Sequence, residues 1–173
     1  MKDFTHMLLG KDLRSITRSN EVVNAVTDQT EFDALFTLVF HHERMLVMRA
    51  ADAVEKITRK RNEFLKPHKE QILSLLTSTV NKELKWHIAQ LVPRLDLDAT
   101  EVQEVWSILN YWAKNPNESR IVRVNALQGL FEMAQHSASL KTDLEATIHI
   151  LEKEPIPSLQ ARIRKLKKAS QHD

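Results

Sequence analysis

The stretch Leu46–Ile57, LVMRAADAVEKI, decides the fold. Leu46, Ala50, Ala53, Val54 and Ile57 follow at steps of four, three, one and three, which lays their side chains along one face of an α-helix. The pattern returns at Leu84, Ile88, Leu91, Val92 and Leu95, and again at Val122, Ala126, Gly129, Leu130 and Met133. Leu159, Ile163 and Leu166 begin a fourth copy, which fails at Lys167 and Ser170. Leu46 to Leu84 and Leu84 to Val122 are 38 positions each, and Val122 to Leu159 is 37. A constant period within roughly 20–50 residues marks stacked supersecondary units, each too small to bury its own apolar face.

Working outward, each copy has an apolar helical segment before it, at 31–40, 68–77, 101–112 and 143–152. The expected architecture is all-α: one α-solenoid domain of about four helical pairs over 28–62, 67–95, 99–136 and 140–170. Residues 1–27 form an N-terminal capping segment with a helix at 20–27. Thr30/Asp33, Thr100/Gln103 and Thr142/Glu145 stand three apart, the spacing of a capping box, and Pro67 is placed to open the remaining helix. Pro93 is expected to end its helix near residue 92, since it has no N–H for the carbonyl of Ala89. Trp112 shares an apolar stripe with Val105, Ile108 and Leu109 and reads as core; Trp106 reads either way.

Composition agrees with stacked helices and excludes several functions. The 173 residues include only 2 glycines, Gly10 and Gly129, and no cysteine. That leaves no Gly-rich phosphate loop, dinucleotide fingerprint, thiolate zinc site or cysteine nucleophile. Lys and Arg number 25 against 23 Asp and Glu, so the formal charge is only +2 and gives no general nucleic-acid or membrane signature. The start, MKDFTHMLLGK, is too short and broken to read as a secretory leader, and no run approaches the ~18 apolar residues of a membrane helix. A soluble cytoplasmic protein is the expectation.

The second helices resemble those of the HEAT-repeat family, which tend to read V-[RK]-x-x-A-x-x-A-[LV]-x-x-[LI]. The closest match is Val122–Leu130, VRVNALQGL; Leu46–Ile57 fits the apolar positions, and Asn81–Lys85, NKELK, looks like the polar lead. Val47 and Gln160 depart from the pattern by standing where the family has a basic residue. The resemblance spans about 28–170. It implies a solenoid whose second helices line the concave side.

No catalytic, cofactor-binding or metal-binding set emerges. His41-His42-Glu43 resembles one half of the His-Glu pairs of HEAT-type hydroxylases, but positions 42 and 43 become Val80 and Asn81, then Glu118 and Ser119, in later copies. The remaining histidines, His136 and His172 among them, lack ligand spacing, and no HExxH motif or nucleophile elbow is present. Two equivalent polar columns escape the apolar stripe: Arg49, His87, Asn125 and Arg162, and Asp52, Gln90, Gln128 and Lys165. With Trp86 as an aromatic anchor they form the candidate partner-binding surface.

Two functions follow as expectations. The first is a small non-catalytic scaffold that binds a partner protein through its concave face and needs no cofactor. The second is nucleic-acid binding, in an architecture that resembles the alkylpurine DNA glycosylases, through the basic run Arg162, Arg164, Lys165, Lys167 and Lys168. The same run also reads as a solvated helix C-terminus, where cations are favoured.

Overall fold

The computed structural model describes residues 2–9, 15–135 and 137–170, with backbone only at 15–18. Gly10, His136 and His172 lie outside the described residues. Among the described residues there are α-helices and 3₁₀ turns and no strand. The chain divides into two compact units, Met1–Lys69 and Glu70–Asp173.

In the N-terminal unit, α1 (Phe4–Leu9) and α2 (Ser15–Ala25) form a pair ahead of α3 (Gln29–Thr37) and α4 (Arg44–Thr58). The capping segment was expected to hold one helix at 20–27, so this pair corrects the count. A six-residue helix is marginal alone. Here Phe4 and Leu8 are fully buried, and α1 packs on both α2 and α4. A 3₁₀ segment, Asn62–His68, contains Pro67, and α5 (Lys69–Ser78) starts after it. Pro67 therefore does not open α5. Phe32, Phe36, Phe64 and His68 gather into an aromatic cluster, with the His68 ring stacked 4.0 Å from that of Phe36.

In the C-terminal unit, which holds α5 from Glu70 on, the second helices are α6 (Lys82–Leu91), α8 (Arg120–Ala134) and α10 (Pro157–Ala169), and the first helices are α5, α7 (Ala99–Lys114) and α9 (Ala138–Leu151). Helix α8 is the hub: it packs on α6 and α10 at its sides and on α7 and α9. The apolar register holds at its anchors, because Leu84, Ile88, Val122, Ala126, Leu130, Leu159, Ile163 and Leu166 are all buried. Each large aliphatic among them contributes about 1.5–3 kcal/mol of burial. Trp112 is core as expected, and Trp106 is buried as well.

Pro93 stops α6 at Leu91, and a 3₁₀ turn spans Val92–Arg94. This break has a partner across the helix interface. A Cβ on Gly129 would stand 2.5 Å from the Ala89 carbonyl oxygen, the oxygen that Pro93 has no N–H to satisfy, and 3.5 Å from Pro93 Cγ. No described glycine has positive φ, so Gly129 is required for space and not for conformation.

The caps lie upstream of their expected positions. Asp28 accepts from Glu31 N, Asp98 forms a complete capping box with Glu101, and Ser137 accepts from Leu140 N. Thr30, Thr100 and Thr142 fall inside the helices instead. Asp and Ser are stronger N-caps than Thr, and they take the earlier boundary.

Candidate interaction surface

The polar residues predicted to share a surface separate into three groups. Arg49, on α4, is buried, and its Nη1 donates to the Leu8 carbonyl at the end of α1. It serves as a cation at a helix C-terminus. Asp52 belongs to the same N-terminal unit and pairs with Lys56 at 2.7 Å, whose ammonium also donates to Ser19 Oγ and Asn20 Oδ1. His87, on α6, is fully buried with the Trp86 ring against it, 3.4 Å between centroids. Arg49 and His87 thus turn inward where exposed column positions were expected. The physical reason is that a second helix in a stack has neighbours on both flanks. Only a narrow strip stays open, and these two side chains lie outside it.

The strip that remains in the C-terminal unit is built by α6, α8 and α10. Trp86, Gln90, Asn125, Gln128 and Arg162 are half-exposed there, and Lys165 is exposed. Gln90 and Gln128 adjoin Ala89 and Gly129, where α6 and α8 come into close contact. Gln90 donates to the Trp86 carbonyl at 3.2 Å and Asn125 to the Ile121 carbonyl at 2.8 Å, both within their own helices. Across α8 and α10, Arg162 Nη1 donates to Gln128 Oε1 at 2.6 Å, and Gln128 Nε2 donates to Glu132 Oε1 at 2.9 Å. Partial burial pulls the Arg162 guanidinium below its ordinary pKa, and the charge of Glu132 opposes that pull. Arg164, Lys165, Lys167 and Lys168 of the basic run are exposed, and Lys167 pairs with Glu152 at 2.6 Å.

Behind this strip runs a ladder of cations one position after each anchor. Lys85 pairs with Glu118 at 2.5 Å and lies 5.2 Å over the Trp112 ring. Arg123, buried on α8, donates to the Ala113 carbonyl at 2.9 Å and to Glu154 at 2.7 Å. At the next rung Gln160 donates to the carbonyls of Leu151, Glu152 and Glu154 and closes the end of α9. Val47, at the corresponding place in α4, is apolar and buried.

A separate cleft of about 600 Å³ opens where α8 ends against α9 and α10, floored by Phe131, Leu144 and Ile148 and rimmed by Lys141, Glu145 and Lys167. His41 and His42 stack at 4.1 Å, and His41 Nδ1 accepts from the Glu43 backbone N–H at 3.0 Å. Among the described residues no group of three or more His, Asp and Glu is arranged to hold a metal ion, and no helix is long and apolar enough to cross a membrane.

These features define a helical-repeat protein. The chain belongs to the HEAT repeat domain family, whose model matches residues 8–170. No curated protein and no solved structure matches it.

Proposed function

We propose that this chain is a non-catalytic scaffold that holds a partner protein on the α6–α8–α10 strip of its C-terminal unit. The observation that carries the reading is the composition of that strip: three neutral amides, one indole, one guanidinium and one ammonium on a rigid helical lattice. The amides of Gln90 and Asn125 bond only to their own helices, so a partner backbone can compete for them. Stacked helices present extended surfaces of this kind, and Trp and Arg are enriched among residues that dominate binding energy. The nucleic-acid reading draws less support, because Lys167 is tied to Glu152 and Arg162 to Gln128. The four exposed cations of α10, one of them tied to Glu152, are fewer than the roughly 6–10 phosphate contacts of a strong non-specific binder.

The test is site-specific photo-crosslinking in the source cells. A photoreactive residue at Gln90 or at Asn125 is expected to trap the same protein, and one at the exposed Glu104 of α7 is expected to trap none. Capture from Glu104 alone, or capture of nucleic acid from Gln90, would overturn the reading.

A further inference from the structure

Arg162 stands apart from the other cations buried in the C-terminal unit. Lys85 and Arg123 each have a carboxylate within 2.7 Å. Arg162 is half-buried and held by one neutral amide; Glu132 acts on it through its charge, and among the described residues no carboxylate is directly paired with it. Gln128 is itself oriented by Glu132, so the guanidinium is fixed in place from behind. A guanidinium has five N–H donors in a planar fork, and a single amide oxygen takes one of them. Helix α10 supplies five cations and no acid over Pro157–Ala169, so nothing on it neutralises the site. We infer that the partner held on this strip presents an acidic segment, with one carboxylate received by the Arg162 fork and a flanking carboxylate facing Lys165, one turn along the same side of α10.

This rests on the protein-binding reading above, and the chemistry of the strip separates an acidic polypeptide from a nucleic acid. Gln90 and Asn125 each carry a donor and an acceptor, which matches the alternating N–H and C=O of a peptide backbone. A phosphate backbone has acceptors only and leaves the amide oxygens unmatched. Trp86 offers an apolar rest for a side chain of the same segment. It stands two helix spacings from Arg162, about 18 Å at ~9 Å per packed helix. At ~3.3 Å per residue, about five or six extended residues span that distance.

The experiment is fluorescence anisotropy on the full chain at low salt, with a fluorescein-labelled octaglutamate peptide and a labelled oligothymidylate of equal charge as probes. The peptide is expected to bind more tightly than the oligonucleotide. Arg162→Gln is expected to weaken the peptide about tenfold, and Arg162→Lys by less, because the ammonium keeps the charge and loses the fork. Arg120→Gln removes the same charge from an exposed site at the start of α8 and is expected to leave binding within about twofold. Equal loss in Arg120→Gln and Arg162→Gln, tighter binding of the oligonucleotide, or no peptide binding would each overturn the inference. If the protein trapped from Gln90 is trapped equally well in Arg162→Gln, the scaffold reading stands and the acidic partner falls. If nothing is trapped from Gln90 and Asn125 in the unaltered chain, the scaffold reading falls first.

Discussion

Helix α4 of the N-terminal unit and helix α8 of the C-terminal unit carry the same apolar register, yet they manage a buried arginine in different ways. On α8, Arg123 meets a backbone carbonyl and a carboxylate. On α4, Arg49 meets the Leu8 carbonyl alone, and its Nε has no partner. The comparison teaches that the repeat specifies where apolar side chains go and leaves polar satisfaction to each unit's own neighbours. A buried cation paired with an acid is costly to break, whereas one without an acid is replaced cheaply by an apolar side chain of similar length.

The largest expected effect sharpens that contrast. Arg123→Met orphans a carbonyl and also strips Glu154 of its cation, and is expected to cost about 3 kcal/mol, while Arg49→Met orphans the Leu8 carbonyl alone and costs about 1 kcal/mol. Urea unfolding followed by circular dichroism measures both, and equal costs would break the comparison. Next, Gly129→Ala is expected to destabilise by about 2 kcal/mol. An open helix position would instead gain about 1 kcal/mol from the same change, so a stabilised variant would show that α6 and α8 do not approach as described. At the helix starts, Asp98→Ala is expected to cost about 1 kcal/mol and Thr100→Ala only a few tenths, readable in the same unfolding curves.

The smallest effect concerns the N-terminal unit under acid. Glu31 receives hydrogen bonds from Lys2 and from the backbone and side chain of Thr27, which lower its carboxyl from 4.5 to about 2. A depressed folded pKa means the contribution is fully present above pH 4.5 and is lost as pH falls through about 2. Lys2→Gln is expected to raise the Glu31 midpoint in a carboxylate NMR titration, with no change at Glu154. Asp33 behaves alike in direction: partial burial pushes its carboxyl up, and hydrogen bonds from Gln29 and His68 outweigh that and hold it below the usual range.

Much of the fold was legible because apolar periodicity reports burial directly. Leu46, Leu84, Val122 and Leu159 all proved to be buried anchors. The register weakened only at Leu95 and Met133, which are half-exposed; Leu95 follows the break that Pro93 imposes. Helix α1 was missed because FTHMLL is too short to announce itself, and its order comes from tertiary contacts of Phe4 and Leu8. The caps were misplaced although Asp98 and Glu101 already stood at capping-box spacing in the chain. The polar columns were half legible. Helical angle puts Arg49 and His87 off the apolar stripe, but spacing along one helix cannot say which flank the neighbouring helix covers. That same gap hid the setting of Arg162, whose bond to Gln128 in place of a direct ion pair with Glu132 is a property of α8 and α10 together.

The cation ladder also has a direction in time. Lys85 finds Glu118 33 residues later in the chain, and Arg123 finds Glu154 31 residues later. Both cationic rungs reach forward, so on the ribosome each of these cations emerges well before the acid that satisfies it. At about 5–20 residues per second, Arg123 waits roughly 2–6 s for Glu154. Through that interval the newest repeat carries an unmatched charge. Such a charge is expensive to bury, so the burial of Arg123 is complete only once the turn that carries Glu154 has been made.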